Sequence, residues 1–134
     1  IVADNQVGSG PRSIEFVGGD YSTDLGVADQ AFDLLISLYA GLVSEHCTNH
    51  LRIGGHLLVN PSHGDAAMAS IDDRYRLSAV IVLRDGSYRI DDEALGRHLV
   101  PKQPQEISVE LLHELGRGIA YTTSPFAYLF SRVV

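Results

Sequence analysis

Apolar runs separated by glycine-rich or polar turns recur along this chain. Ile14-Glu15-Phe16-Val17 is one such run, closed by Gly18-Gly19-Asp20. Residues 31–38, Ala-Phe-Asp-Leu-Leu-Ile-Ser-Leu, form a longer run broken only by Asp33 and Ser37, with Tyr39 directly after it. A third run, residues 56–60, is entered through Gly54-Gly55. Short apolar runs without alternation predict strands covered on both faces. Between the second and third runs, Leu42, Val43, His46, His50 and Ile53 recur at helical spacing. This predicts a helix over residues 42–52 with Gly54 as its stop. Strands alternating with a helical connection predict a parallel α/β sheet. In such sheets, ligands sit beyond the carboxyl ends of the strands.

The rest of the chain is punctuated more finely. Residues 1–4 predict a strand, residues 5–13 a loop rich in Gly, Ser, Asn and Pro, and residues 21–30 a polar connection. Pro61 to Gly64 predicts a turn, and Asp65 to Ser70 a short helix. Residues 75–83 and 87–90 predict two strands joined by Arg84-Asp85-Gly86, where Asp-Gly is a hairpin signal. A short helix over residues 91–99 is bounded by Pro101 and Pro104. Residues 108–116 predict a helix with Ser108 as its cap, and residues 126–134 a last strand.

Three motifs in order carry a resemblance: Val17-Gly18-Gly19-Asp20, then Phe32-Asp33-Leu34-Leu35-Ile36-Ser37, then Leu51-Arg52-Ile53-Gly54-Gly55-His56-Leu57-Leu58-Val59. Together they resemble the Rossmann-like S-adenosylmethionine (SAM)-dependent methyltransferases. The resemblance implies an α/β fold, a mostly parallel Rossmann-like sheet with an antiparallel edge and a β-hairpin in the C-terminal half. It implies methyl transfer from SAM, by in-line SN2 displacement, to a small-molecule acceptor. By resemblance, Asp20 would accept from the adenine amino group and Tyr21 would wall the ring. Ser37, Leu38 and Tyr39 would face the methionine end of the cofactor or the acceptor, and Asp4 would grip the ribose. Gly8 and Gly10 read either as a remnant of the family's glycine loop or as a linker. Asp20 reads equally as a turn cap after Gly18-Gly19. Nine residues, 5–13, separate Asp4 from Ile14, too few for the family's intervening helix. The family's first glycine-rich strand, loop and helix are missing, so one N-terminally incomplete domain is expected over the 134 residues.

Composition narrows the alternatives. A net charge of −7 and a pI near 5.2 argue against a general nucleic-acid backbone binder. No apolar run is long enough to span a bilayer. A single cysteine, Cys47, excludes an internal disulfide and points to a reducing, cytoplasmic setting. A homo-oligomer remains open. Metal binding is not expected: His46 and His50 are four apart without a third ligand, and His113-Glu114-Leu115-Gly116-Arg117 has Arg where a zinc protease needs its second His. His63, after Asn60-Pro61-Ser62, is the candidate general base at a strand end. The alternative to an enzyme is a non-catalytic domain of the same family serving in partner binding. A Rossmann-like domain for another nucleotide would need Gly-x-Gly-x-x-Gly between a strand and a helix, which this chain lacks.

Overall fold

The computed structural model describes residues 7–134. Its strands are β1 (Phe32–Ser37), β2 (Leu51–Val59), β3 (Tyr75–Arg84), β4 (Ser87–Asp91) and β5 (Ala127–Arg132), and its α-helices are α1 (Val43–Cys47), α2 (Asp65–Ile71) and α3 (Val109–Leu115). The strands form one curled sheet in the order β1-β2-β5-β3-β4.

Pairing in this sheet corrects the expected fold class. Only β1 and β2 pair parallel, and the other three pairings are antiparallel. The sheet is therefore mixed and mostly antiparallel, not a mostly parallel Rossmann-like sheet. The cause is the position of the last strand. β1, β2 and β3 all run one way, as their helical connections allow. β5 returns in the opposite sense between β2 and β3, and so replaces one parallel contact by two antiparallel ones.

Local signals are met unevenly. The hairpin turns at Asp85 and Gly86, both with positive φ (50° and 76°), and β4 forms a sheet edge. Ser108 Oγ accepts the Leu111 N–H at 3.1 Å and caps α3, which ends at Gly116 in the left-handed region. The helix expected over residues 42–52 is only α1 followed by a 3-10 turn, Thr48–His50. β2 begins at Leu51 and runs through Gly54-Gly55, where a turn was expected. A Cβ on Gly55 would meet the Asp33 and Arg52 carbonyls at about 3 Å, so β1 can approach there only because the position is glycine. The short helix expected at residues 91–99 is a 3-10 turn, Leu95–Leu99. The strand expected at residues 14–17 does not form; Phe16 is 91% exposed. Without a paired neighbour, an apolar run has no ladder to join. The strand expected at residues 1–4 lies outside the described residues.

The core lies on one face of the sheet. Leu57 and Val59 of β2, Val80 of β3, and Tyr128 and Phe130 of β5 pack with Ala66, Ala67, Met68 and Ala69 of α2 and Leu112 of α3. On the opposite face, register aligns Ile36, Leu58, Leu129 and Ala79 in one row, and Ile81 beside Ile90. Ile36 is 55% exposed, and Leu34, Tyr88 and Ile90 are exposed as well. The expectation that β1 is covered on both faces is thus not met: β1 is an edge strand with one open apolar face.

Candidate functional site

The carboxyl ends of β1 and β2 lie side by side, with Ser37 paired to Val59. Ser37 is buried, and its hydroxyl donates to Asp65 Oδ2 at 2.5 Å. Asp65 Oδ1 accepts from the N–H and the hydroxyl of Ser44 at 3.0 and 2.5 Å. One carboxylate thus ties the end of β1 to the first turns of α1 and α2. Burial raises the Asp65 carboxyl above its ordinary value, and the hydrogen bonds from Ser37, Ser44 and Val43 oppose that rise in part.

The loop between Ser37 and Ser44 is held along its length. Asn60 donates its N–H to the Ser37 carbonyl at 3.3 Å, and its Oδ1 accepts the Tyr39 N–H at 3.1 Å. The Tyr21 hydroxyl accepts the Leu42 N–H at 3.1 Å. Gly41, at φ 97°, leaves room for that hydroxyl, and a side chain there would collide with it. Within this loop Tyr39 sits at φ 58°, with its residue 69% exposed. His63, after β2, has φ 59°. Left-handed backbone at a tyrosine carries strain that only its surroundings can hold. Two strained residues therefore follow two adjacent parallel strands at their carboxyl ends, the usual place for a ligand.

The expected residues divide into those brought to this edge and those left away from it. Ser37 ends β1, Leu38 and Tyr39 follow it, and His63 follows β2. Tyr21 reaches the same loop through Leu42, and its ring lies 5.8 Å from that of His46. Asp20, beside Tyr21, is exposed and caps a turn: Oδ1 accepts the Ser22 N–H at 2.9 Å and the Ser22 hydroxyl at 2.7 Å. Those two bonds, the backbone one first, hold its carboxyl below the ordinary range. The turn occupies Oδ1 and leaves Oδ2 outside it. His63 Nδ1 lies 2.7 Å from Ser62 Oγ, so Nε2 is the nitrogen left for a ligand. Gly8 and Gly10 are exposed, and a Cβ on either would meet nothing within 4 Å, so no cradle surrounds them. Asp4 lies outside the described residues.

Among the site residues, Asp20 Oδ2 is an acceptor outside its turn and the Tyr39 residue is exposed. The described residues hold no cradle around Gly8 and Gly10 for the methionine end. A groove of about 500 Å³ lined by Ser13, Glu15, Val17, Leu25 and Phe32 lies at the other end of β1, away from this chemistry.

Sequence reasoning missed Asn60, Asp65 and Ser44 as organisers. Asp65 is 28 residues from Ser37 and 21 from Ser44. No linear spacing marks such a set; the only cue was a carboxylate at the start of an Ala-rich helix. Two histidines, His46 and His113, meet at the Glu45 carboxylate, and His50 and His63 lie elsewhere. His46 lies beside Glu45, His113 Nε2 contacts both Glu45 carboxylate oxygens at 3.0 and 2.9 Å, and His50 faces the Ala28 carbonyl. Among the described residues no group of three or more His, Cys, Asp or Glu is placed to hold a metal, and no helix is long and apolar enough to cross a membrane. No family model, curated protein or solved structure matches this chain.

Proposed function

We propose that this chain takes part in SAM-dependent methyl transfer to a small molecule, with the cofactor lying across the carboxyl ends of β1 and β2. The observation that carries this reading is the hydrogen bond from Leu42 N to the Tyr21 hydroxyl. It draws the Asp20-Tyr21 pair to the loop leaving Ser37, so motifs far apart in the chain meet at one edge. The cofactor's sulfonium supplies the activation of the methyl group. The protein's share is alignment and exclusion of water. Asp20 Oδ2 would accept from the adenine amino group, and Tyr39 would wall one side of the bound molecules. His63 would take the acceptor's proton on Nε2 when its Nδ1–H donates to Ser62.

The test is calorimetric titration of the full-length protein with SAM and with its demethylated product. Asp20→Ala should weaken binding about tenfold or more, with the ligand-free thermal midpoint lowered only slightly by loss of the exposed turn cap. Asp85→Ala, on the hairpin turn, should bind as wild type does. Equal binding with and without Asp20 removes that residue from the site.

A second reading, a non-catalytic domain that binds a partner, is favoured by the open apolar face around Leu34, Ile36 and Ile90. Full-length protein that binds neither SAM nor its product would end the enzyme reading and leave this one.

A further inference from the structure

We infer that the methyl acceptor carries an anionic group, and that Arg84 and Arg97 hold it in a cavity at the carboxyl end of β3. That the ligand is a methyl acceptor rests on the function proposed above; the anion site itself does not.

Strand direction places this cavity. β3 runs with β1 and β2, so Arg84 at its end lies on the same edge as Ser37 and Asn60. Val59, Tyr128 and Val80 form one row across β2, β5 and β3. β2 ends at Val59, whereas β3 continues four residues past Val80, an overshoot of about 13 Å. Two strand spacings, about 10 Å, separate β2 from β3. Against this overhang lies a cavity of about 400 Å³, lined among others by Val82, Arg84, Arg97, His98, Thr123 and Ser124. Together, the overshoot and the two strand spacings put Arg84 about 16 Å from the end of β2, so an acceptor anchored there must be elongated to present an atom at the ends of β1 and β2.

The lining is arranged to offer guanidinium groups. Arg97 Nη2 donates to Asp91 Oδ2 at 2.9 Å, and Arg97 Nε donates to His98 Nε2 at 3.2 Å. His98 Nε2 must then be unprotonated, and its Nδ1–H donates to Thr123 Oγ1 at 2.8 Å. The Thr123 hydroxyl in turn donates to the Arg97 carbonyl at 3.2 Å. Burial first, and the Arg97 charge second, push the His98 imidazole below its ordinary value, in keeping with a neutral ring. Arg97 is thereby fixed in place with donors to spare. The Arg84 side chain makes no hydrogen bond among the described residues, although Asp91 feels its charge. The cavity lining carries two guanidinium groups and no carboxylate, in a chain whose net charge is −7, and of the two only Arg97 is hydrogen-bonded to Asp91. The Ser124 hydroxyl adds a donor, and Val82 and Pro125 add apolar wall. An Arg fork beside an apolar wall suits a carboxylate or phosphate on a small organic body.

The test uses benzoate and its neutral analogue benzamide as probes of the full-length protein. Heteronuclear NMR follows the Arg84 side chain and the backbone amides of Arg97, Thr123 and Ser124. Benzoate should shift these signals saturably, and benzamide should bind at least about tenfold more weakly. Arg84→Gln should erase the difference, and Arg84→Lys should keep part of it, with thermal midpoints near wild type. SAM titration on the same sample separates the two claims. Benzoate binding through Arg84 without SAM binding would keep the anion site and remove the methyltransferase reading. Indistinguishable probes, or benzoate binding untouched by Arg84→Gln, would overturn the anion site even where SAM binds.

Discussion

Asn60, the residue after β2, accepts the backbone N–H of Tyr39, the second residue after β1, on its Oδ1 at 3.1 Å. The same Asn60 donates its own N–H to Ser37. A buried amide thus bridges the ends of two parallel strands and holds a tyrosine in a backbone conformation it would not adopt alone. Preorganisation of this kind lowers the cost of binding, because the loop is ordered before a ligand arrives.

Asn60→Ala should therefore loosen the loop without unfolding the domain. The expected loss of stability is about 1–2 kcal/mol, the range for one buried hydrogen-bonding side chain. Amide hydrogen exchange should accelerate at Tyr39 and its neighbours. Asn60→Asp keeps an acceptor oxygen for Tyr39 and should exchange more slowly than Asn60→Ala. Unchanged exchange in Asn60→Ala would show that the loop does not depend on this bond.

Asp65 should give the domain a pH signature. Burial raises its folded-state carboxyl above the ordinary 3.8, so the folded chain holds this proton more tightly than the unfolded chain does. Its contribution to stability is then fullest below 3.8 and is lost as pH rises through the folded-state value. Wild type should lose stability relative to Asp65→Asn over that window, read from urea midpoints at a series of pH values. Asp65→Ala should cost about 3 kcal/mol, because the Ser37 and Ser44 donors are left buried without it. A difference between wild type and Asp65→Asn that is flat with pH would mean the carboxyl is not shifted.

The two faces of the sheet should respond differently to truncation. Leu57 is fully buried, between Leu35 of β1 and Phe130 of β5. Leu57→Ala should cost about 2–5 kcal/mol. Ile36→Ala, on the open face, should stay within about 0.5 kcal/mol. Chemical denaturation of both variants measures this. A comparable loss at Ile36 would mean that something covers that face in solution.

The hairpin turn should tolerate only one kind of change. Gly86→Ala meets no atom within 4 Å, yet it must hold φ at 76°. It should cost about 1 kcal/mol from backbone strain alone. Asp85→Gly, which relieves a positive φ of 50°, should be neutral or slightly stabilising. A thermal melt of each variant distinguishes the two. A silent Gly86→Ala would mean that the turn relaxes to another type.

By itself, the sequence determined what is local. Asp85-Gly86 specified its hairpin, Ser108 and Gly116 bounded α3, the run at residues 31–38 became β1, and the run at 56–60 became the second part of β2. These outcomes depend on backbone preference and on side chains a few residues apart, which a linear pattern records. Tertiary structure alone decided which strands are neighbours, because β5 comes from the far end of the chain to separate β2 from β3. It also decided that residues 14–17 stay unpaired, that β1 lies at an edge, and that Ser37, Ser44 and Asp65 share one carboxylate. Strand insertion and the burial of a charge depend on contacts across tens of residues, and their energies belong to the folded whole rather than to any segment.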